Sequence, residues 1–302
     1  MSAWSLNEKV VLITGGARGI GAATAIELSR RGAIPVLADL DVDALASTAA
    51  TITPAPMTLE LDVTDLSACE AAVERVLDEH GRLDVAWANA GIASGGPVRF
   101  TDPAAWRRTI EVNLLGAYYT VRAALPAVIA QRGYVAVTAS LASFAHAPGM
   151  SAYCATKAGV EAMCNSLRSE VAHHGVEVAT IHPTWIDTDM VREADAESRV
   201  FEVLRGALRP PFRKTYPVER AATDIVGGFE RRKRRICVPP FVIAAHVLRS
   251  LLTTRLFERD QLAVAPELER RFSEDIADRG ATAASVSERI SRQVEEHTAA
   301  PS

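Results

Sequence analysis

The sequence predicts a doubly wound α/β fold, a parallel sheet of about seven strands with helices on both faces. Three observations carry this. Short runs rich in β-branched residues alternate strictly with longer helical patterns. The first run stops at glycines that open a helix, and the second run ends on an acid. Right-handed crossovers between successive parallel strands then leave helices on both faces.

Lys9 to Thr14 (KVVLIT) reads as a buried strand, almost wholly apolar and stopped by glycines. Gly19 to Arg31 follows as a helix ended by Gly32, and Ile34 to Asp39 is the second strand. Asp41 to Ala50 is helical, and Met57 to Leu61 is the third strand. Asp65 to His80 is a helix closed by Gly81, and Asp84 to Ala88 is the fourth strand. Pro103 to Gln131 is a long helical stretch, followed by a fifth strand at Tyr134 to Ala139. Met150 to His174 is a second long helix ended by Gly175, before a sixth strand at Val176 to Ile181. A helical segment at Glu219 to Arg231 precedes a short last strand at Ile236 to Val238. There is no internal repeat and no Gly/Ser-rich linker before about residue 240. The expected organisation is one domain over 1–240 and a helical extension over 241–302, whose small, polar end after Gly280 is expected to fray.

The 302 residues are 48% hydrophobic and 23% charged, which excludes a disordered or collagen-like chain. A net charge of -4 gives no general reason to expect a nucleic-acid partner. Cys69, Cys154, Cys164 and Cys237 show no CxxC spacing, and they read as reduced thiols with no metal site. The leading MSAWSLNEKV has no signal-like apolar run, and no stretch of about 18 uninterrupted apolar residues occurs. A cytoplasmic protein is expected.

Thr14-Gly15-Gly16-Ala17-Arg18-Gly19-Ile20-Gly21 lies between the first strand and first helix. Glycines there let backbone N–H groups approach a pyrophosphate at a helix N-terminus, as in dinucleotide-binding Rossmann-type folds. An ordinary glycine turn is the rival reading, but the position after a strand, before a helix and upstream of an acid decides against it. That acid, Asp39, is suited to accept hydrogen bonds from the adenosine ribose and to repel a 2′-phosphate. At about 4 Å two unit charges interact by roughly 1–4 kcal/mol in a wet or half-wet site. Arg18 argues the other way, as a partner for that phosphate. Asp39 weighs more because it would occupy the ribose site itself, so NAD is expected ahead of NADP.

Tyr153 and Lys157 are spaced i, i+4, and no other tyrosine has a lysine four residues on. On a helix the two share a face, and an ammonium lowers a phenol pKa from about 10. A mere pair of surface neighbours is the plain alternative. Ser140 lies at the carboxyl end of the fifth strand, where open α/β sheets bind ligands. Asn113 interrupts apolar neighbours in the long helix, and a hydrogen-bonded core amide would look the same.

Taken in order, TGGARGIG at Thr14 to Gly21, Asp62-Val63, Asn89-Ala90-Gly91, Asn113, Ser140, Tyr153 with Lys157, and Pro183 to Thr188 resemble the single-domain, NAD(P)-dependent short-chain dehydrogenases/reductases. The resemblance covers about residues 6 to 240. It implies that Tyr153 is the general acid/base, that Lys157 lowers its pKa and bonds the nicotinamide ribose, that Ser140 orients the substrate oxygen, and that Asn113 holds a relay water. It implies a cofactor site of Gly15, Arg18, Gly19, Ile20, Gly21 and Asp39, with Asp62 and Val63 at the adenine and Asn89, Ala90 and Gly91 on the floor. Pro183, Ile186 and Thr188 would flank the nicotinamide, with Tyr153 and Lys157 opposite. Two departures stand out: Pro183-Thr184 replaces the family's Pro-Gly, and Ala88-Asn89 replaces its Asn-Asn.

The resemblance places a substrate lid at Met190 to Tyr216. Its Val191, Phe201, Val203, Leu204, Leu208 and Phe212, with Trp185 nearby, suit a hydrophobic secondary alcohol or ketone, steroid- or lipid-like, or simply pack the lid down. The run Arg231 to Arg235 and the amphipathic stretch Phe241 to Phe257 read first as a solvated end and a docked helix, and second as a peripheral membrane contact. A homodimer or homotetramer through residues 103–131 and 150–174 is expected from the family. The competing function is a cofactor-bound scaffold or sensor at a membrane surface with incidental catalysis.

Overall fold

The computed structural model describes residues 4–197, 199–208, 212–287 and 290–291. Seven strands, β1 (Val10–Thr14), β2 (Ile34–Asp39), β3 (Met57–Glu60), β4 (Val85–Ala88), β5 (Tyr134–Thr138), β6 (Glu177–Pro183) and β7 (Arg235–Val238), form one sheet in the order β3-β2-β1-β4-β5-β6-β7. Every pairing is parallel. All seven lie within two residues of the expected runs. The strand order reverses between β1 and β4, which opens a crevice at their carboxyl ends.

The period-two alternation of the strands divides the core. Val11, Ile13, Leu37, Trp87 and Ile181 face Leu28, Ile225 and Phe229 of helices α1 (Gly19–Arg30) and α9 (Val218–Glu230), with α2 (Val42–Ala49) beside them. Leu12, Val36, Ala86 and Val135 face the other way, onto α3 (Leu66–His80), α4 (Pro103–Ile110), α5 (Gly116–Ala130) and α6 (Ser151–Val171). Asp41, Asp65 and Asp102 cap α2, α3 and α4 by accepting from backbone N–H groups of the first turn.

The stretch expected as one helix from 103 to 131 is interrupted. Glu111–Leu115 forms a π-helical turn between α4 and α5. The turn gives the Asn113 side chain the main chain of Ile92 as a partner: Oδ1 accepts from its N at 2.8 Å and Nδ2 donates to its O at 2.9 Å. The apolar span Pro103–Ala130 has the length and composition of a membrane-crossing helix, but nearly half of it is buried in this fold.

Two helices, α7 (Asp189–Glu197) and α8 (Arg199–Ala207), follow β6, and the chain after β7 also departs from expectation. Phe241 to Phe257 is not one helix but α10 (Val242–Val247), α11 (Arg249–Leu252) and the start of α12 (Arg255–Arg279). Val247, Leu248 and Leu251 are exposed there. The basic run does not act as a single patch. Arg232 donates to the carbonyls of Arg132, Gly133 and Gly175 and stacks over Trp4, while Arg235 lies 3.8 Å from Glu161. The segment expected to fray after Gly280 instead forms α13 (Ala281–Ser285), and Val286 and Ile290 are buried in the main core. Apolar burial outweighs its loop-like composition. The remainder of the expected frayed end, 292–302, lies outside the described residues.

Phe229 stands edge-on to Trp87 at 5.7 Å and to Tyr134 at 5.4 Å, with no exposed surface. Phe229→Ala should cost about 3–5 kcal/mol of unfolding free energy. Urea denaturation checks this, and a loss under about 1 kcal/mol would contradict the packing.

Candidate active site

The glycine loop follows β1 at the crevice. Gly15 has φ +66°, and a methyl on it would lie 2.8 Å from the Cα of Ala90. A methyl on Gly21 would lie 2.1 Å from the Gly15 carbonyl oxygen, so the loop tolerates no side chain there. Arg18, at the N-cap of α1, places no capping side chain over the first-turn N–H groups of Gly19, Ile20 and Gly21. Uncapped N–H groups at a helix N-terminus suit a phosphate. Gly19 abuts the Thr188 methyl, where a Cβ would be at 3.2 Å, so the loops after β1 and β6 meet. Thr188 and Ile186 are buried, and the Thr188 hydroxyl donates to the Ile186 carbonyl at 3.3 Å. Pro183 is the last residue of β6.

Asp39 ends β2 facing this loop. One carboxylate oxygen accepts from Ala17 N and the other from Asp41 N, each at 3.2 Å. Arg18 is ion-paired with Asp41. Asp62 accepts from the Thr64 N–H and hydroxyl at 2.8 and 2.7 Å and from Arg108 at 3.3 Å. Burial works to raise its pKa, but the Thr64 and Arg108 contacts outweigh it and hold the carboxyl below its ordinary range. The Val63 side chain is turned into the core, beside Gly116 of α5. These residues, with Ala90 and Gly91, surround a cleft with fixed donors, an acid at the end of β2 and no crowding side chain in the loop, which fits a dinucleotide.

Ser140, Tyr153, Lys157 and Asn113 come together from the end of β5, α6 and the π turn. Lys157 is 3% exposed, and its Nζ donates to the Thr138 carbonyl at 2.8 Å. The same ammonium lies 5.5 Å from the centre of the Tyr153 ring. The Ser140 side chain is close enough to the Tyr153 phenol to lower its pKa, and its hydroxyl accepts from Ala142 N at 3.1 Å. A Cβ on Gly91 would stand 3.2 Å from Asn113 Oδ1 and 3.5 Å from Lys157 Nζ, so the glycine keeps open a polar slot between them.

The expected lowering of the tyrosine pKa is not what the protein alone produces. Burial pushes the Tyr153 phenol up to about 12, against the Ser140 hydrogen bond, and pushes Lys157 down to about 8. Desolvation dominates both groups. The phenol is therefore protonated at neutral pH.

Beneath Ser140 lies a side chain that the sequence analysis did not single out. His182 is fully buried, with Nδ1 at 3.1 Å from the Ser140 carbonyl and Nε2 at 3.0 Å from the Thr180 hydroxyl. A carbonyl only accepts, so Nδ1 carries the proton and Nε2 accepts from Thr180. The ring packs against Phe144 at 5.5 Å and His246 at 5.9 Å. Behind it Glu161, one turn beyond Lys157 on α6, meets His246 at 3.1 Å and Arg249 at 3.2 Å. The signal for His182 was its place between a strand and Pro183, which spacing alone does not separate from an ordinary turn. Among the described residues no group of three His, Cys, Asp or Glu is placed to hold a metal ion.

A glycine-loop crevice at the reversal of a parallel sheet, with a half-buried tyrosine and a buried lysine beside it, defines a dinucleotide-binding α/β protein. Residues 9–199 match the family model described as short chain dehydrogenase, and the chain belongs to that family. It is 34% identical to galactitol 2-dehydrogenase of Agrobacterium fabrum over 227 residues, 74% of this chain and 89% of that one. It is 31% identical to (-)-trans-carveol dehydrogenase of Rhodococcus erythropolis over 234 residues, 72% of this chain and 83% of that one. Among solved structures, a short chain dehydrogenase/reductase from Burkholderia phymatum in complex with NAD matches with a TM-score of 0.72 at 25% identity, over 83% of this chain and 97% of that one. The chain is an NAD(P)-dependent oxidoreductase acting on CH–OH and C=O groups.

Burial pushes the His182 imidazole down to about 4 from its ordinary 6.5; the Ser140 carbonyl and Glu161 oppose this, and Arg235 and His246 reinforce it. Between those values only the unfolded chain takes up the proton, so stability present above pH 6.5 is lost as pH falls toward 4. His182→Leu should be less stable than the parent at pH 7.5, and the gap should narrow by about pH 4.5. Urea titrations at both pH values check this, and a gap that stays constant would contradict a neutral buried ring.

Proposed function

We propose that this enzyme interconverts a hydrophobic secondary alcohol and its ketone, with Tyr153 as general acid and base. The convergence of the Ser140 hydroxyl, the Tyr153 phenol and the Lys157 ammonium at the edge of an apolar cluster carries this reading. The bound nicotinamide dinucleotide supplies the hydride chemistry, and the protein supplies position and protons. Ser140 orients the substrate oxygen toward the phenol. In reduction Tyr153 gives its proton to the carbonyl oxygen, a role suited to a phenol neutral at pH 7. In oxidation Tyr153 takes up the hydroxyl proton, which requires phenolate, and the Lys157 charge and Ser140 hydrogen bond favour that form. Asn113 Oδ1 and Lys157 Nζ both border Gly91, and a water bridging them would let Lys157 exchange protons with solvent.

The hydrophobic character follows from Met150, Cys154, Phe201 and Leu204, which are buried together, with Trp185 edge-on to Phe201 at 6.0 Å. The carveol dehydrogenase relative supports an alcohol of this type. For the cofactor we infer a preference for NAD. Asp39 is already held at the ribose position by two backbone N–H groups, and Arg18 is engaged by Asp41 instead of standing free for a 2′-phosphate. Trp106, Leu115 and Tyr118 are exposed on the α4–α5 face, in keeping with a homodimer or homotetramer built through residues 103–131 and 150–174.

Tyr153→Phe should reduce kcat by about 10²–10⁴-fold while NADH binding, followed by fluorescence, is retained. Full turnover in that variant would refute the assignment. Asp39→Ala should narrow the ratio of kcat/KM for NAD over NADP by about tenfold or more, and an unchanged ratio would count against the carboxylate as the discriminating group. Sedimentation at micromolar concentration should show a dimer or tetramer, and a strictly monomeric species would contradict the assembly.

A further inference from the structure

Tyr153 and Lys157 are carried by α6 and Asn113 by the π turn, but Ser140 stands at the head of a single short turn, Leu141–Ser143, after β5. Inside that turn the Ser140 N–H donates to the Ser143 hydroxyl at 3.2 Å, its carbonyl accepts from Ser143 N at 3.1 Å, and its hydroxyl accepts from Ala142 N at 3.1 Å. These bonds shape the turn. Two others tie it to its surroundings: the Ser143 hydroxyl donates to the Lys157 carbonyl of α6 at 2.9 Å, and His182 Nδ1 of β6 stands 3.1 Å from the Ser140 carbonyl.

The bond from His182 has a fixed direction. A guanidinium only donates, and Arg168 Nη2 lies 3.4 Å from the Thr180 hydroxyl oxygen. The Thr180 proton is left for His182 Nε2 at 3.0 Å, so Nδ1 keeps the proton that the Ser140 carbonyl accepts. Arg168, Thr180 and His182 are all buried, and water does not compete for their bonds. One donor order therefore runs from α6 through β6 to the main chain of Ser140. With its carbonyl held by His182 and its N–H held by Ser143, the peptide groups on both sides of Ser140 are fixed, and the direction of its Cβ follows. The hydroxyl already accepts from Ala142 N, which leaves its own proton and second lone pair to point away from the turn. A shift of about 1 Å in such a group can cost about 100-fold in rate.

We propose that His182 is a positioning residue for the reaction: its Nδ1–H, set by Thr180 and Arg168, anchors the Ser140 turn to β6 and so aims the Ser140 hydroxyl at the substrate oxygen. The ring is fully buried and acts through Ser140 alone. This rests on the role given to Ser140 beside Tyr153.

Two replacements separate the hydrogen bond from the volume of the ring. His182→Asn puts an amide nitrogen where Nδ1 stands. His182→Gln is closer to the ring in size but carries its amide toward Thr180. With (-)-trans-carveol and NAD, His182→Gln should lower kcat by about tenfold while NADH affinity, read by fluorescence, is retained, and His182→Asn should stay within about threefold of the parent. A space-filling role predicts the opposite order, because asparagine leaves the larger void, and that order would overturn the proposal. Ser140→Ala should lower kcat by about 100-fold or more. Adding His182→Gln to it should cost less than about twofold further, whereas a second full tenfold loss would overturn the route through Ser140. Normal turnover in Ser140→Ala is the distinct result that removes the role of Ser140 itself. Nitrogen-15 NMR of histidine-labelled protein at pH 7.5 reads the bond without turnover. One ring, missing from His182→Asn, should carry its proton on Nδ1, and a proton on Nε2 would overturn the proposal. If the parent leaves carveol untouched, that alcohol class is what fails, and the NMR result decides the anchor.

Discussion

A buried ammonium on a single carbonyl oxygen ties the site together. Lys157 donates to the carbonyl of Thr138, and the hydroxyl of that same threonine donates to Asn89 Oδ1 at 3.0 Å. The Asn89 amide in turn donates to the Gly15 carbonyl at 3.0 Å. Thr138 also accepts from the Trp87 indole at 2.9 Å. One chain of hydrogen bonds thus runs from α6, across the ends of β5 and β4, to the glycine loop. It holds the glycine loop and the Tyr153–Lys157 side of the crevice in register, and burial makes each link costly to leave unmade.

The same logic recurs away from the crevice. Asp84 is buried at the start of β4 and is held by Lys9, Arg82 and the Val10 N–H. Burial alone would raise its pKa, yet these contacts prevail and keep the carboxyl below its ordinary range. Glu161 gathers His246 and Arg249 of the C-terminal extension onto α6, the helix that carries Tyr153 and Lys157. Removing one partner of such a buried group leaves the other uncompensated, so these clusters enforce one arrangement of the elements. The C-terminal extension is thereby joined to α6 by charge as well as by apolar packing.

Asn113 shows how far local reading reaches. Its residue type and its place in a long apolar helix singled it out, but helical periodicity gives no warning that the helix widens there into a π turn. The extra residue in that turn depends on the neighbouring Ile92 main chain, a contact 21 positions away. Tyr153 and Lys157 were legible because a spacing of four residues is a property of the helix itself. Their protonation was not, because it depends on how much water the folded body removes from both groups. His182 was missed for the same reason: nothing near it in the chain reveals that the Ser140 carbonyl will need a donor.

Strand and helix boundaries, the parallel sheet and the glycine-loop crevice were readable from residue order, because they follow from periodicity, turn chemistry and short-range spacing. The sequence reading put a boundary near residue 240. It could not say that Ala281 to Val286 and Ile290 would pack rather than fray, since small polar-flanked residues become core only when another surface meets them. Ile92, Gly95 and Phe272 provide that surface, and they converge on this segment only once the chain has folded. Contacts between distant segments decide burial, and burial decides the acidity of the tyrosine.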